Sequence, residues 1–142
     1  MKFWNEELFF MQNREEVKEW LKKAEADFEG ALQLARRRKN PLPDLICFHC
    51  QQAAEKYLKA FLVMNEVPFP KTHDLLLLLT LARGFEPRLE LYRDLLDLLN
   101  PYSIQYRYPG EEATFEEAKN GLKAIKDFRK FVRELFPSEL WD

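Results

Sequence analysis

Three observations place this chain among the all-α proteins, as an up-and-down bundle of four to five helices. Apolar residues recur at helical spacing in the stretches between prolines. Charged residues are abundant at 32% while glycine occurs only four times, a balance that suits helices better than a turn-rich β fold. No stretch alternates with period two for long enough to read as a strand. The 142 residues fit one domain, 1–142, and 46% hydrophobic content supplies material for one core.

The elements follow from the proline joints at Pro41 and Pro43, Pro68 and Pro70, Pro87, Pro101, Pro109 and Pro137. A first helix is expected from about Arg14 to Arg38. Val17, Trp20, Leu21, Ala24, Phe28, Ala31, Leu32 and Ala35 share one face, with Lys18, Lys22, Glu25, Glu29 and Gln33 opposite. "ARRRKNP" closes it, with cations at the negative end of the helix dipole and proline just beyond. A second helix runs from Pro43-Asp44 to about Asn65, and "VPFPKTHD" breaks it. Thr72 is the expected N-cap of a short third helix, "HDLLLLLTLA". "EPRLELYRDLLDLL" reads as a fourth, with Pro87 in its first turn. "NPYSIQYRYPGEEA" reads as a loop. Thr114 and Glu117 form a capping box that opens a last long helix. Phe115, Ala118, Leu122, Ile125, Phe128, Val132 and Leu135 lie on its inner face.

A formal net charge of −2 rules out polyanion binding by the bulk field, so any nucleic-acid contact has to come from a local patch. Two cysteines do not make a disulfide framework. "MKFWNEELFFMQ" carries Glu6 and Glu7 within its apolar run and has no small-residue cleavage site. It reads as neither a signal peptide nor a membrane span, and a soluble cytoplasmic protein is expected. "FWNEELFFM" is too short to bury its large side chains alone, so it packs on its own bundle or on a partner across a dimer interface.

"CFHC" at 47–50 has the spacing of a metal or thiol–disulfide site. At about 100° per residue, Ile46, Cys50, Tyr57, Phe61 and Met64 gather on one side, with Cys47 and Ala54 at its flank. Both cysteines then point inward, and a buried free cysteine acts as a small hydrophobe. His49 turns away by about 100° or more. Structural zinc needs four ligands, usually two such pairs, and only His73 is left elsewhere. No metal and no cofactor is expected.

The rest of the second helix is less ordinary. Gln51 and Glu55 share a stripe; His49, Gln52 and Lys56 share another; Phe48, Leu58, Leu62 and Val63 lie among them. A helix apolar nearly all round is buried on more than one side, so this one is central or carries an interface. Glu55 either pairs with Lys59 or Lys56 on a solvated face, or belongs to a polar strip beside a groove.

"FHCQQAAEKYLKAFLVMNEVPFPKTHDLLLLL" resembles the signature of the HEPN domain family: a "QxAxEKxLKAxL" helix, a proline turn and a "THDL" start to the next helix. "AEADFEGALQLAR" is similar to the family's first helix at Ala24, Asp27 and Ala31, and "QYRYPG" to its Arg-Tyr-Pro loop. The resemblance spans about residues 14–135. It implies a helical homodimer that works beside a minimal nucleotidyltransferase, as partner subunit or as one half of a toxin–antitoxin pair, and that binds a nucleotide or RNA. No membrane is implied.

Other branches of the family are metal-independent ribonucleases with an Arg-x(4–6)-His motif, the histidine working as acid–base and the arginine holding phosphate charge. Here the positions before His49 are Asp44, Pro43 and Leu42, and before His73 they are Pro68, Val67 and Glu66. The motif is absent, and "YPGEEAT" after Arg107 has no histidine. The reading is therefore a non-catalytic protein that binds a nucleotide or phosphate-bearing ligand or docks the partner. Gln51 and Glu55 would hydrogen-bond, Arg107 and Lys56 would face phosphate, Tyr108 would stack, and His73 would stand at the turn. The alternatives are a ribonuclease toxin using His73 and a purely structural dimer module. Arg107 is otherwise a helix cap or a partner of Glu111 or Glu112. "RRRK" at 36–39 is a dipole partner first and a nucleic-acid site second.

Overall fold

The computed structural model describes the backbone of residues 2–141 and the side chains of residues 11–141. Five α-helices account for the fold: α1 Lys2–Ala35, α2 Pro43–Met64, α3 Leu75–Ala82, α4 Arg93–Leu99 and α5 Phe115–Arg133. Short 3-10 segments lie at Pro87–Tyr92, Asn100–Ser103 and Ser138–Leu140. No strand occurs among the described residues, so the all-α bundle stands. None of the described helices is long and apolar enough to cross a membrane.

The first helix is longer at its start and shorter at its end than expected. Nothing between Lys2 and Glu29 is glycine or proline, so no residue interrupts helical hydrogen bonding before Gly30. The packing of Phe3, Trp4, Phe9 and Phe10 lies outside the described side chains. At the other end α1 stops at Ala35, with Arg36 N still bonded to Leu32 O at 3.2 Å. The cations follow the last turn instead of occupying it. The connector then bends through Asn40 and Leu42, both in the left-handed region at φ 51° and 56°.

α2 is the central element. It packs along α1, against α5 and α3, and under the 3-10 turn at Asn100–Ser103. Ile46, Cys47, Cys50, Ala54, Tyr57 and Phe61 are buried, as the wheel places them, while Met64 at the end of the helix is only partly buried. Both thiols are free and wholly buried. Burial pushes Cys47 up to about 12, with Glu117 and Asp44 adding to it, and burial likewise raises Cys50. Such thiols are packing groups, not nucleophiles.

Three other expectations change. Asp74, not Thr72, caps α3: its Oδ1 accepts from Leu76 N and Leu77 N, while Thr72 Oγ1 accepts from Asp74 N. The fourth helix divides, because proline opens a 3-10 turn over Pro87–Tyr92 before α4 begins. Phe115 is exposed at the first turn of α5, whereas Ala118, Ile125, Phe128 and Val132 are buried. The inner face is centred nearer Gly121, where Leu99, Tyr102 and Cys50 close in.

Glu25, expected on the outer face of α1, is half-buried and joined to α5. It accepts from Arg129 Nε at 2.7 Å and Nη2 at 2.8 Å, and from the Tyr57 hydroxyl. The sequence stripe is correct, but α5 covers its edge.

Candidate functional site

The unusual feature of α2 is a buried polar stripe. Gln51, Glu55 and Lys59 follow at one-turn spacing and are 0%, 3% and 7% exposed. Each polar group there must find a partner, since an unpaired one costs about 1–3 kcal/mol. Lys59 Nζ donates to Glu55 Oε2 at 3.0 Å and sits 5.5 Å from the Trp20 ring and 5.8 Å from Phe69. Gln52 Nε2 donates to Gln51 Oε1 at 2.8 Å. Glu55 thus pairs with Lys59, but in the interior instead of on a solvated face.

The remaining partners come from the segment after α2. Val67 N turns back onto Leu62 O at 2.9 Å, and Pro68 and Pro70 keep the chain from resuming a helix. The segment returns along α2 until His73 reaches the polar stripe. Gln51 Nε2 donates to the His73 carbonyl at 2.9 Å, and His73 Nδ1 lies 2.8 Å from Glu55 Oε1. The next residue is pinned as well: Asn100 Nδ2 donates to Asp74 Oδ1 at 3.1 Å, and Asn100 Oδ1 accepts from Leu75 N at 2.8 Å.

This arrangement fixes the imidazole. An ionised carboxylate only accepts, so Nδ1 is the donor beside it, and Nε2 is the nitrogen left free for another partner. The His73 side chain is 62% exposed and stands in a cleft of about 560 Å³ with Asp74, Asp97, Asn100, Ser103 and Ile104. A buried carboxylate behind an exposed imidazole suits hydrogen-bond acceptance or proton abstraction at the cleft.

The other expected residues fall in two places. Lys56 points to α1, where its Nζ is 2.5 Å from Asp27 Oδ2 and His49 Nδ1 is 2.9 Å from Asp27 Oδ1. Burial works to raise the Asp27 carboxyl, but hydrogen bonds from His49 and Lys56 and their charge hold it below its usual value. Lys56 therefore belongs to the α1–α2 seam.

Arg107 and Tyr108 are exposed in the loop that begins at the cleft wall, with Arg107 N bonded to Ile104 O at 3.2 Å. Among the described residues neither side chain has a hydrogen-bond partner, and neither Glu111 nor Glu112 forms an ion pair with Arg107. The loop's three tyrosines divide the work. Tyr102 and Tyr106 stack with ring centroids 5.7 Å apart, and the Tyr106 hydroxyl bonds Glu117, so these two fasten the loop. Tyr108 remains 69% exposed.

Asn100 and Ser103 are the parts that sequence reasoning missed. The only signal was an asparagine before Pro101 in a stretch read as loop. Among the described residues no group of three or more metal-ligating side chains comes together.

A family model described as the HEPN domain matches residues 17–135. No curated protein and no solved structure matches the chain.

Proposed function

The chain belongs to the HEPN domain family, and from that premise we propose a non-catalytic helical dimer that binds a nucleotide and docks a minimal nucleotidyltransferase. The observation that carries this reading is the exposed His73 imidazole at a cleft, its Nδ1 held by buried Glu55. Asp97 stands at that cleft, and the Asp74 carboxylate is already occupied by backbone donors and Asn100. Phosphate is therefore disfavoured beside His73. The ribose hydroxyls fit there, donating to Nε2, while phosphate lies toward Arg107 and the base stacks on Tyr108. Gln51 and Glu55 act through His73 and do not touch the ligand. Lys56, held by Asp27, is left out of this site. Ile104, Tyr108 and Phe115 are large exposed side chains in or beside the same loop, and they suit a partner surface.

The test is calorimetric titration with AMP and ATP, with Arg107→Ala as the control. Heat that weakens at least tenfold in the variant is expected. No heat with either nucleotide leaves the docking role alone.

A second reading draws on the same dyad. A base aimed at a ribose hydroxyl is what metal-independent RNA cleavage requires, with Arg107 supplying phosphate contact in place of the absent motif arginine. RNA cut in the presence of EDTA by the wild type, and left whole by His73→Ala, would replace the binding role with a ribonuclease.

A further inference from the structure

We propose that Arg36–Lys39 is a contact surface for the phosphate backbone of a nucleic acid, distinct from the His73 cleft. The observation is how the arginines are partnered. Arg14, Arg83, Arg88, Arg93, Arg129 and Arg133 each have a carboxylate oxygen within 4 Å. Among the described residues Arg36, Arg37, Arg38 and Arg107 have none, and Lys39 has none either. All five are exposed.

Arg36–Lys39 lead into α2, and Arg107 sits in the loop that ends beside α2's first turn. There Asp44 Oδ1 accepts from Ala113 N at 2.6 Å and ties the two segments together. Helix-dipole compensation accounts for one cation near Ala35, because the effect fades within the last turn. It leaves Arg37, Arg38 and Lys39 unexplained. Four consecutive like charges repel one another, so an isolated fold gains nothing from keeping them together.

The chemistry favours phosphate. Three of the four are arginines, whose planar forks match phosphate oxygens two at a time. The half-buried Pro41 and Leu42 that follow give no apolar anchor for a lipid surface. Tyr108, exposed in the loop that Ala113 ties to α2's first turn, offers a ring face to an unpaired base. The whole chain carries only −2, so the contact is local and strongly screened by salt. Arg36–Lys39 go beyond the nucleotide cleft, which shares only Arg107 and Tyr108 with this surface, since a mononucleotide engages one phosphate group and a strand engages several.

The experiment is fluorescence anisotropy of a labelled oligouridylate of about 12 nucleotides, a length within the range one strand-binding module covers. The full chain and its Arg37→Gln/Arg38→Gln variant are titrated from low to physiological salt. The wild type is expected to bind, with the variant about tenfold weaker. The slope of log K against log salt should be shallower by about 1.4, from roughly 0.7 per phosphate contact on a single strand. An equal circular-dichroism melt checks the fold. An unchanged slope, no binding by the wild type at low salt, equal binding to polyglutamate, or tighter binding to phosphatidylserine vesicles each overturns the proposal. The salt response with no AMP heat keeps this surface and removes the nucleotide cleft. AMP heat that needs Arg107, beside an unchanged RNA slope, does the reverse.

Discussion

Lys59 shows what the buried stripe costs and what it secures. Its ammonium donates to Glu55 Oε2 at 3.0 Å in the interior of the bundle. Removing it takes a charged partner away from a carboxylate in the interior. Breaking a buried pair on one side typically costs about 3–5 kcal/mol. Lys59→Met is expected to lose about 3 kcal/mol in urea unfolding, and adding Glu55→Gln should recover part of it. A single variant as stable as the wild type would mean that water reaches Glu55. Gln51 and Glu55 were legible as polar letters on a helix too apolar to be solvated. Their depth was not, because helical period assigns stripes and does not say which later segment covers them. Here the cover is "VPFPKTHD", whose prolines mark a break without stating the direction of return. Thr72 and Asp74 illustrate the same limit: both are good capping residues two positions apart, and the contact with Asn100 favours Asp74.

At the scale of elements, the amphipathic pattern located every helix and fixed α5's start through its capping box, which is present with both hydrogen bonds. It placed the inner face of α5 slightly off-centre, on Phe115, because glycine adds nothing to a hydrophobic stripe. Gly121 is in fact buried against Leu99 and Tyr102. A Cβ there would meet its nearest neighbour at 3.8 Å, an ordinary contact. Gly121→Ala should therefore fill space without displacement and remove glycine's helical penalty. An increase of up to about 1 kcal/mol in unfolding free energy is expected. A loss of stability would show that the crossing of α5 over α2 needs the bare backbone. The extra length of α1 was readable from the absence of glycine and proline, but the density of aromatic residues in "FWNEELFFM" suggested a separate segment.

Across the whole molecule, α1 is fastened to its neighbours through carboxylates. Glu25 joins Tyr57, Arg129 and Arg133, and Asp27 joins His49 and Lys56. For Glu25, burial works to raise the carboxyl and is outweighed by hydrogen bonds from Arg129 and Tyr57 and by the arginine charges, so it is held below its usual value. Asp27 is lowered in the same way. A depressed carboxyl stabilises the fold above its unfolded value, here 4.5 for Glu25 and 3.8 for Asp27. That stability is lost as pH falls through the lower folded values. Urea melts from pH 7 to pH 3 should show this loss, and Glu25→Gln should flatten it; an identical pH profile for the variant would exclude the carboxylate as its source. The fastening also bears on the order of events during folding. α1 and α2 share the largest packed face and are joined by a short connector, whereas α5 reaches α2 from far along the chain. Closing a short loop costs less entropy than closing a long one. The α1–α2 hairpin is therefore expected to form in the transition state, with α5 docking afterwards. On that ordering, Ala24→Gly should slow refolding and Val132→Ala should chiefly speed unfolding in a chevron experiment. The reverse pattern would place the nucleus on α5.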